Sequence, residues 1–233
     1  MKVSVIVVFI ALLGGASAIA GTIVGNVHAQ GKAGVDSSGG GQDGAYASRK
    51  YKFVPKVDYA AMDDFVVYIE GQVGTNTAES TNILVVSTKR IAQHGAMFSP
   101  HVMPVMVGTT VEWPNDDNIY HNVFSMSDAK QFDLGLYKGN PPDKRVRFDK
   151  PGRVDVFCSI HENMHCVVLV LENPYFGTTD EKGNFKIPNV PHGTYTLKAW
   201  HERLPADEKQ IVVPADGTVK ADFTLTIKNL PQY

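Results

Sequence analysis

The chain has 233 residues, 43% of them hydrophobic and 20% charged, with a formal net charge of -2. This is the composition of a folded globular chain with enough apolar residues for one large core or two small ones. There is no basic excess and no block of like charge, which argues against a nucleic-acid partner. With 21 glycines, 13 prolines and short apolar runs, the chain reads as all-β with many turns.

Residues 1–20, MKVSVIVVFIALLGGASAIA, join one lysine to an apolar stretch and end in small residues. This is the pattern of a secretory signal peptide, with cleavage expected after Ala18 or Ala20. The competing reading is an uncleaved anchor, which the borderline length and Gly14-Gly15 disfavour. The mature protein is therefore expected to be periplasmic or secreted, with no stable membrane span, in a compartment that permits disulfides.

GTIVGNVHAQ at 21–30 predicts a short strand, and the Gly/Ser-rich stretch at 31–48 a loop. The segment 58–64 has room for a short helix at most, and FVVYIE at 65–70 reads as a strand. Strands then follow closely. ILVVS at 83–87 is one, and 101–115 holds two about a turn at Val107-Gly108-Thr109. HNVFS at 121–125 starts another, and KRVRFD at 144–149 leads into a Pro151-Gly152 turn. In RVDVFCS at 153–159, Val154, Val156 and Cys158 share one face. CVVLVLE at 166–172 suits a central buried strand. The tail predicts strands at NFKI and TYTLKAW and a closing hairpin about Asp216-Gly217. No stretch carries a long 3.6-residue apolar stripe.

Both cysteines lie in FCSIHENMHC, at 157–166, among two histidines and a methionine. A disulfide and a metal site are the two readings of this cluster. Cys158, His161 and Met164 follow the spacing C-x2-H-x2-M between two strands, and His121 lies upstream in YHNV. One thiolate, two imidazoles and a weak thioether are the donor set of a blue-copper centre. Three ligands within one short loop leave a flank of the metal open, which a remote histidine would close. A Cys158–Cys166 bridge would remove the thiolate, and the whole donor pattern favours the metal. Cys166, opening an apolar run, reads as a small buried residue. His165 reads as an exposed loop residue, and His94, His101, His192 and His201 as surface or structural. Met103 and Met106 read as core packing, and so does Trp113. Asp180 and Glu181 read as turn residues rather than an acid–base pair.

MVGTTVEWPNDDNIYHNVFS followed by VDVFCSIHENM resembles the cupredoxins, chiefly those of amicyanin and plastocyanin type, over about residues 82–172. The resemblance implies a Greek-key sandwich and a single mononuclear type 1 copper held by His121, Cys158, His161 and Met164. It also implies that Asn122 ties the two ligand loops together by hydrogen bonds and that His161 lies near the surface as the electron port. Glu162 departs from the family, which commonly has proline there.

TTDEKGNFKIPNVPHGTYTLKAWHE at 178–202 resembles the carboxypeptidase regulatory-like domain, a small transthyretin-like β-sandwich. That family opens with strands like those at 23–27 and 65–70. The implied organisation is discontinuous, with 21–81 and 173–233 forming one sandwich and 82–172 inserted at a loop. Two domains in series is the alternative. This sandwich shows no nucleophile–base pair or metal motif, and the resemblance implies a scaffold or docking surface rather than a peptidase.

The combined expectation is a non-enzymatic electron-transfer protein that meets redox donors and acceptors transiently. A copper carrier or sensor without redox turnover is the rival. A structural β protein with a vestigial site is the third reading.

Overall fold

The computed structural model describes residues 20–31, 57–73 and 87–227. The leader apart from Ala20, the Gly/Ser-rich stretch beyond Gly31, and the strand expected at 83–87 apart from Ser87 lie outside the described residues. In chain order the strands begin with β1 (Ala20–Gln30), β2 (Val66–Ile69), β3 (Thr88–Arg90), β4 (Ala92–His94), β5 (Met97–Ser99) and β6 (Val102–Met106). Next come β7 (Thr110–Glu112), β8 (His121–Ser127), β9 (Lys130–Tyr137), β10 (Arg145–Arg147), β11 (Gly152–Phe157) and β12 (His165–Leu171). The last are β13 (Phe176–Thr178), β14 (Asn184–Pro191), β15 (Gly193–His201), β16 (Leu204–Val213), β17 (Thr218–Lys220) and β18 (Phe223–Thr226). The architecture is all-β. Residues 58–64 form a turn rather than a helix, with Asp58 accepting the Ala60 amide at 3.0 Å.

Two groups of sheets are built from different parts of the chain. Between residues 87 and 171 lie a five-stranded sheet, β6-β12-β11-β8-β9, a three-stranded sheet, β10-β7-β3, and the β4-β5 pair. They enclose a core of Val105, Val111, Trp113, Val123, Phe148, Val154 and Val156, which also takes in Cys158, Met164 and Cys166. The remaining strands form β14-β1-β17, with β18 also on β1, and β13-β2-β15-β16. Their shared core joins Ile23 and Val27 of β1 to Phe65, Val67, Ile69, Phe185, Leu197, Phe223 and Leu225.

β12 explains its own composition. Cys166, Val168 and Val170 point into the first core. Val167, Leu169 and Leu171 point the other way, onto Val102, Val66, Tyr68 and Trp200. Both faces of a strand are buried only where something covers each, so the run is apolar without alternation. The two groups of strands meet across this face.

Gly25 sits where β1 crosses the chain at Ala221. A Cβ there would lie 1.8 Å from the Ala221 carbonyl oxygen, so only glycine fits. The hairpin expected about Asp216-Gly217 does not form. The turn instead carries the chain from β16 into the other sheet, where β17 runs parallel to β1 with Thr22 opposite Thr218. On this route Val219 packs, partly buried, against the core that holds Phe223 and Leu225. β9 was not apparent in the sequence. It is an edge strand whose Phe132 and Leu134 alternate with polar neighbours and pack on the first core, and a bulge between Asp133 and Leu136 breaks that alternation before buried Tyr137.

Candidate metal centre

His121, Cys158 and His161 converge at one end of the five-stranded sheet, their ligand atoms all within 4.8 Å of one another. His121 opens β8 and is fully buried there, followed by buried Asn122 and Val123. Cys158 follows β11 and continues the inward face of Val154 and Val156. His161 lies on the loop between β11 and β12. Two backbone bonds brace that loop: the Cys158 amide donates to the Met164 carbonyl (3.2 Å) and the Met164 amide to the His161 carbonyl (3.1 Å). Met164 ends the loop fully buried in the same core.

The imidazoles are oriented by chemistry outside the cluster. Asp117 accepts the backbone amides of Ala96 (2.9 Å) and Gly95 (2.7 Å) and lies 2.8 Å from His121 Nε2. The Ala96 hydrogen bond foremost, then those of His121 and Gly95, hold its carboxyl down at about 2. An ionised carboxylate can only accept, so His121 Nε2 carries the proton and Nδ1 presents a lone pair. That Nδ1 lies 2.9 Å from His161 Nδ1, and His161 Nδ1 lies 3.6 Å from Cys158 Sγ. The Asn122 amide donates to Cys158 Sγ at 3.4 Å, an interaction that favours thiolate over thiol.

These donors suit a soft or borderline metal. Bonds of roughly 2.0–2.3 Å to nitrogen and sulfur span the separations present. Asp117 is an outer partner of the kind that fixes a ligating imidazole, and it was missed in the sequence. Its signal was the spacing Asp117-x3-His121, which has no meaning until the loop at 95–96 is placed against it. Asn122 is bifunctional. Its backbone amide bridges to the Cys158 loop, while its side chain donates to Asp133 Oδ1 on β9 at 2.7 Å. The Asn122–Asp133 bond ties β8 to β9, and Asp133 also accepts the Gly135 amide within its own strand.

The two cysteines are unbonded and both buried. Cys166 faces the core, where burial pushes its thiol well up, as suits an inert thiol. Trp113 is fully buried and Met103 packs at the core margin. Asp180 closes its turn by accepting the Lys182 and Asn184 amides. One histidine departs from expectation. His165 opens β12 instead of lying in an exposed loop, stacked on Phe157 with ring centroids 4.8 Å apart. His101 joins it, with Glu202, in a second cluster of ligand atoms.

A family model described as polysaccharide lyase family 4, domain II matches residues 169–221. No curated protein matches the chain. Among solved structures, a copper-containing nitrite reductase from Thermus scotoductus is 26% identical, with a TM-score of 0.34 over 37% of this chain and 23% of its own. The chain thus spans under a quarter of that enzyme. A purple cupredoxin from Nitrosopumilus maritimus is 26% identical, with a TM-score of 0.30 over 35% of this chain and 98% of its own. An amicyanin variant is 20% identical, with a TM-score of 0.32 over 36% of this chain and 82% of its own.

Proposed function

We propose that this chain is an exported electron-transfer protein whose residues 82–172 form a cupredoxin-type domain holding one type 1 copper. His121, Cys158 and His161 are its strong ligands and Met164 its weak axial one. The observation that carries this reading is the convergence of two imidazole nitrogens and a buried thiol within 4.8 Å, with His121 held to one tautomer by Asp117. Copper at such a donor set supplies a one-electron Cu(II)/Cu(I) couple.

The chain's residues do the rest. Asn122 and the braced loop hold Cys158 Sγ in place, and the surrounding core keeps bulk water from the sulfur. His161 is the most accessible of the three ligands. Exposed Ile119, Tyr120, Leu136 and Ile160 belong to the segments that carry His121 and His161 or pair beside them. An apolar surface of this kind suits brief docking of a redox partner. On this reading the chain is a carrier rather than an enzyme.

The same proposal treats 21–81 and 173–233 as one discontinuous β domain of carboxypeptidase regulatory-like type, serving as scaffold. Pairing of β1 with β14 and β18, and of β2 with β15, supports it. The leader at 1–20 supports export to the periplasm or exterior.

The test is a Cu(II) titration of the reduced, metal-free mature protein, followed by visible absorption and electron paramagnetic resonance. One equivalent should produce an intense thiolate-to-copper band that bleaches reversibly on reduction without release of copper. Absence of the band would overturn the type 1 centre, and release on each reduction would overturn the carrier of electrons.

A further inference from the structure

We propose that His101, His165 and Glu202 form a second metal site, for a divalent ion of the zinc or copper(II) class, that clamps the β15–β16 turn onto the strands of the first core. The site does not depend on the copper reading above. Its three residues come from separate segments. His101 precedes β6 and His165 opens β12, and the parallel pairing of those strands sets them side by side, with the Val167 amide donating to the His101 carbonyl at 2.8 Å. Glu202 lies in the β15–β16 turn, whose backbone carbonyl at Glu202 accepts from Arg153 at 2.9 Å.

Hydrogen-bond chemistry decides which ring nitrogens are free. His101 Nδ1 lies 3.1 Å from the His165 carbonyl oxygen, which can only accept, so Nδ1 carries a proton there. His165 Nε2 lies 3.0 Å from Asp155 Oδ1, and that carboxylate is clasped by the Arg153 guanidinium at 2.7 and 2.8 Å. Asp155 is thus also an acceptor, and His165 Nε2 carries its proton. The neutral rings are left with lone pairs on His101 Nε2 and His165 Nδ1. Both face the same carboxylate: His101 Nε2 is 3.0 Å from Glu202 Oε1 and His165 Nδ1 is 3.8 Å from Oε2.

The 3.0 Å approach of His101 Nε2 to Glu202 Oε1 needs a proton or a metal ion between them, and an ion there would also take up the His165 Nδ1 lone pair. Either the rings take up extra protons or a metal ion sits there. The anchoring of each ring's far nitrogen to an acceptor is the arrangement that fixes metal-ligating histidines. Two imidazoles and one carboxylate, with no sulfur, select zinc or copper(II) over copper(I). A cavity of about 320 Å³ opens beside the cluster, lined by His101 and Glu202 together with Asp63 and Asp64, and gives an ion a path and room for water. His165 and Cys166 are consecutive on β12 and so face opposite sides, and Cys166 faces the core that holds Cys158 and Met164, which separates this site from the Cys158 centre.

The experiment removes the first centre and titrates the second. The full mature chain carrying Cys158→Ser and His161→Ala is titrated with zinc by calorimetry, and bound zinc is counted by elemental analysis after gel filtration. One zinc per chain is expected, with at least a tenfold loss of affinity on adding Glu202→Gln and the same on adding His101→Ala. Glu202→Gln keeps the shape of the turn, and its far-ultraviolet circular dichroism should match the parent, so it decides the matter if His101→Ala fails to fold. Lack of zinc binding by the parent would leave the cluster a protonated ion-pair network and overturn the site. Zinc binding that Glu202→Gln does not weaken would overturn it equally.

Discussion

The two histidine clusters of this protein are made in opposite ways. Around Cys158, three expected ligands fall within seven residues on a strand end and a braced loop, and only His121 comes from elsewhere in the chain. Around Glu202, no two ligands are near in sequence. Strand pairing brings His101 to His165, and packing of the second group of strands brings Glu202 to both. A ligand loop can be recognised from spacing because its geometry is local. A seam site has no spacing of its own and exists only once the sheets are assembled.

The sharpest way to break the contrast is at Cys158. Cys158→Ser should abolish the thiolate-to-copper band entirely while leaving zinc binding at the seam intact, as absorption and calorimetry on one preparation would show. Loss of both together would mean that the clusters are one coupled unit.

Leu169→Ala probes the seam from the other side. Leu169 is buried on the face of β12 turned toward the second group of strands. Its truncation should cost about 2–5 kcal/mol, read as a lower denaturant midpoint. The copper band should persist in the folded protein, because the residue does not belong to the core around Cys158.

Asp117→Asn sharpens the local half. An amide can donate as well as accept, so His121 loses its fixed tautomer, and copper affinity should fall by about 10–100-fold in a competition assay.

The smallest effect is in acid. The Asp117 carboxyl is depressed from 3.8 to about 2, so its contribution to folding is fully present above pH 4 and is lost as pH falls toward 2. Stability of the metal-free protein against pH should therefore slope downward in that window, and the slope should flatten in Asp117→Asn. An unchanged slope would show that Asp117 does not hold the 95–96 loop.

The residues themselves carried the all-β class, since short apolar runs between turn residues leave no helical stripe to bury. They also pointed to His121, Cys158 and His161, whose ligand atoms the structure brings within 4.8 Å of one another. Val154, Val156 and Cys158 could be put on one face by counting in twos. β9 alternates too, with Phe132 and Leu134 turned to the core, but a bulge between Asp133 and Leu136 throws the count off before Tyr137. The path of β17 could not be seen this way, because its turn residues are those of a hairpin while its partner is β1, nearly two hundred residues away in the chain. His165 was misplaced for the same reason: a histidine beside a loop reads as exposed until Phe157 is stacked on it and Asp155 holds its ring. Local sequence sets which side chains alternate and which can bind a metal. Burial is a property of what arrives on the other side, and only the assembled sheets decide that for Asp117, His101 and Glu202.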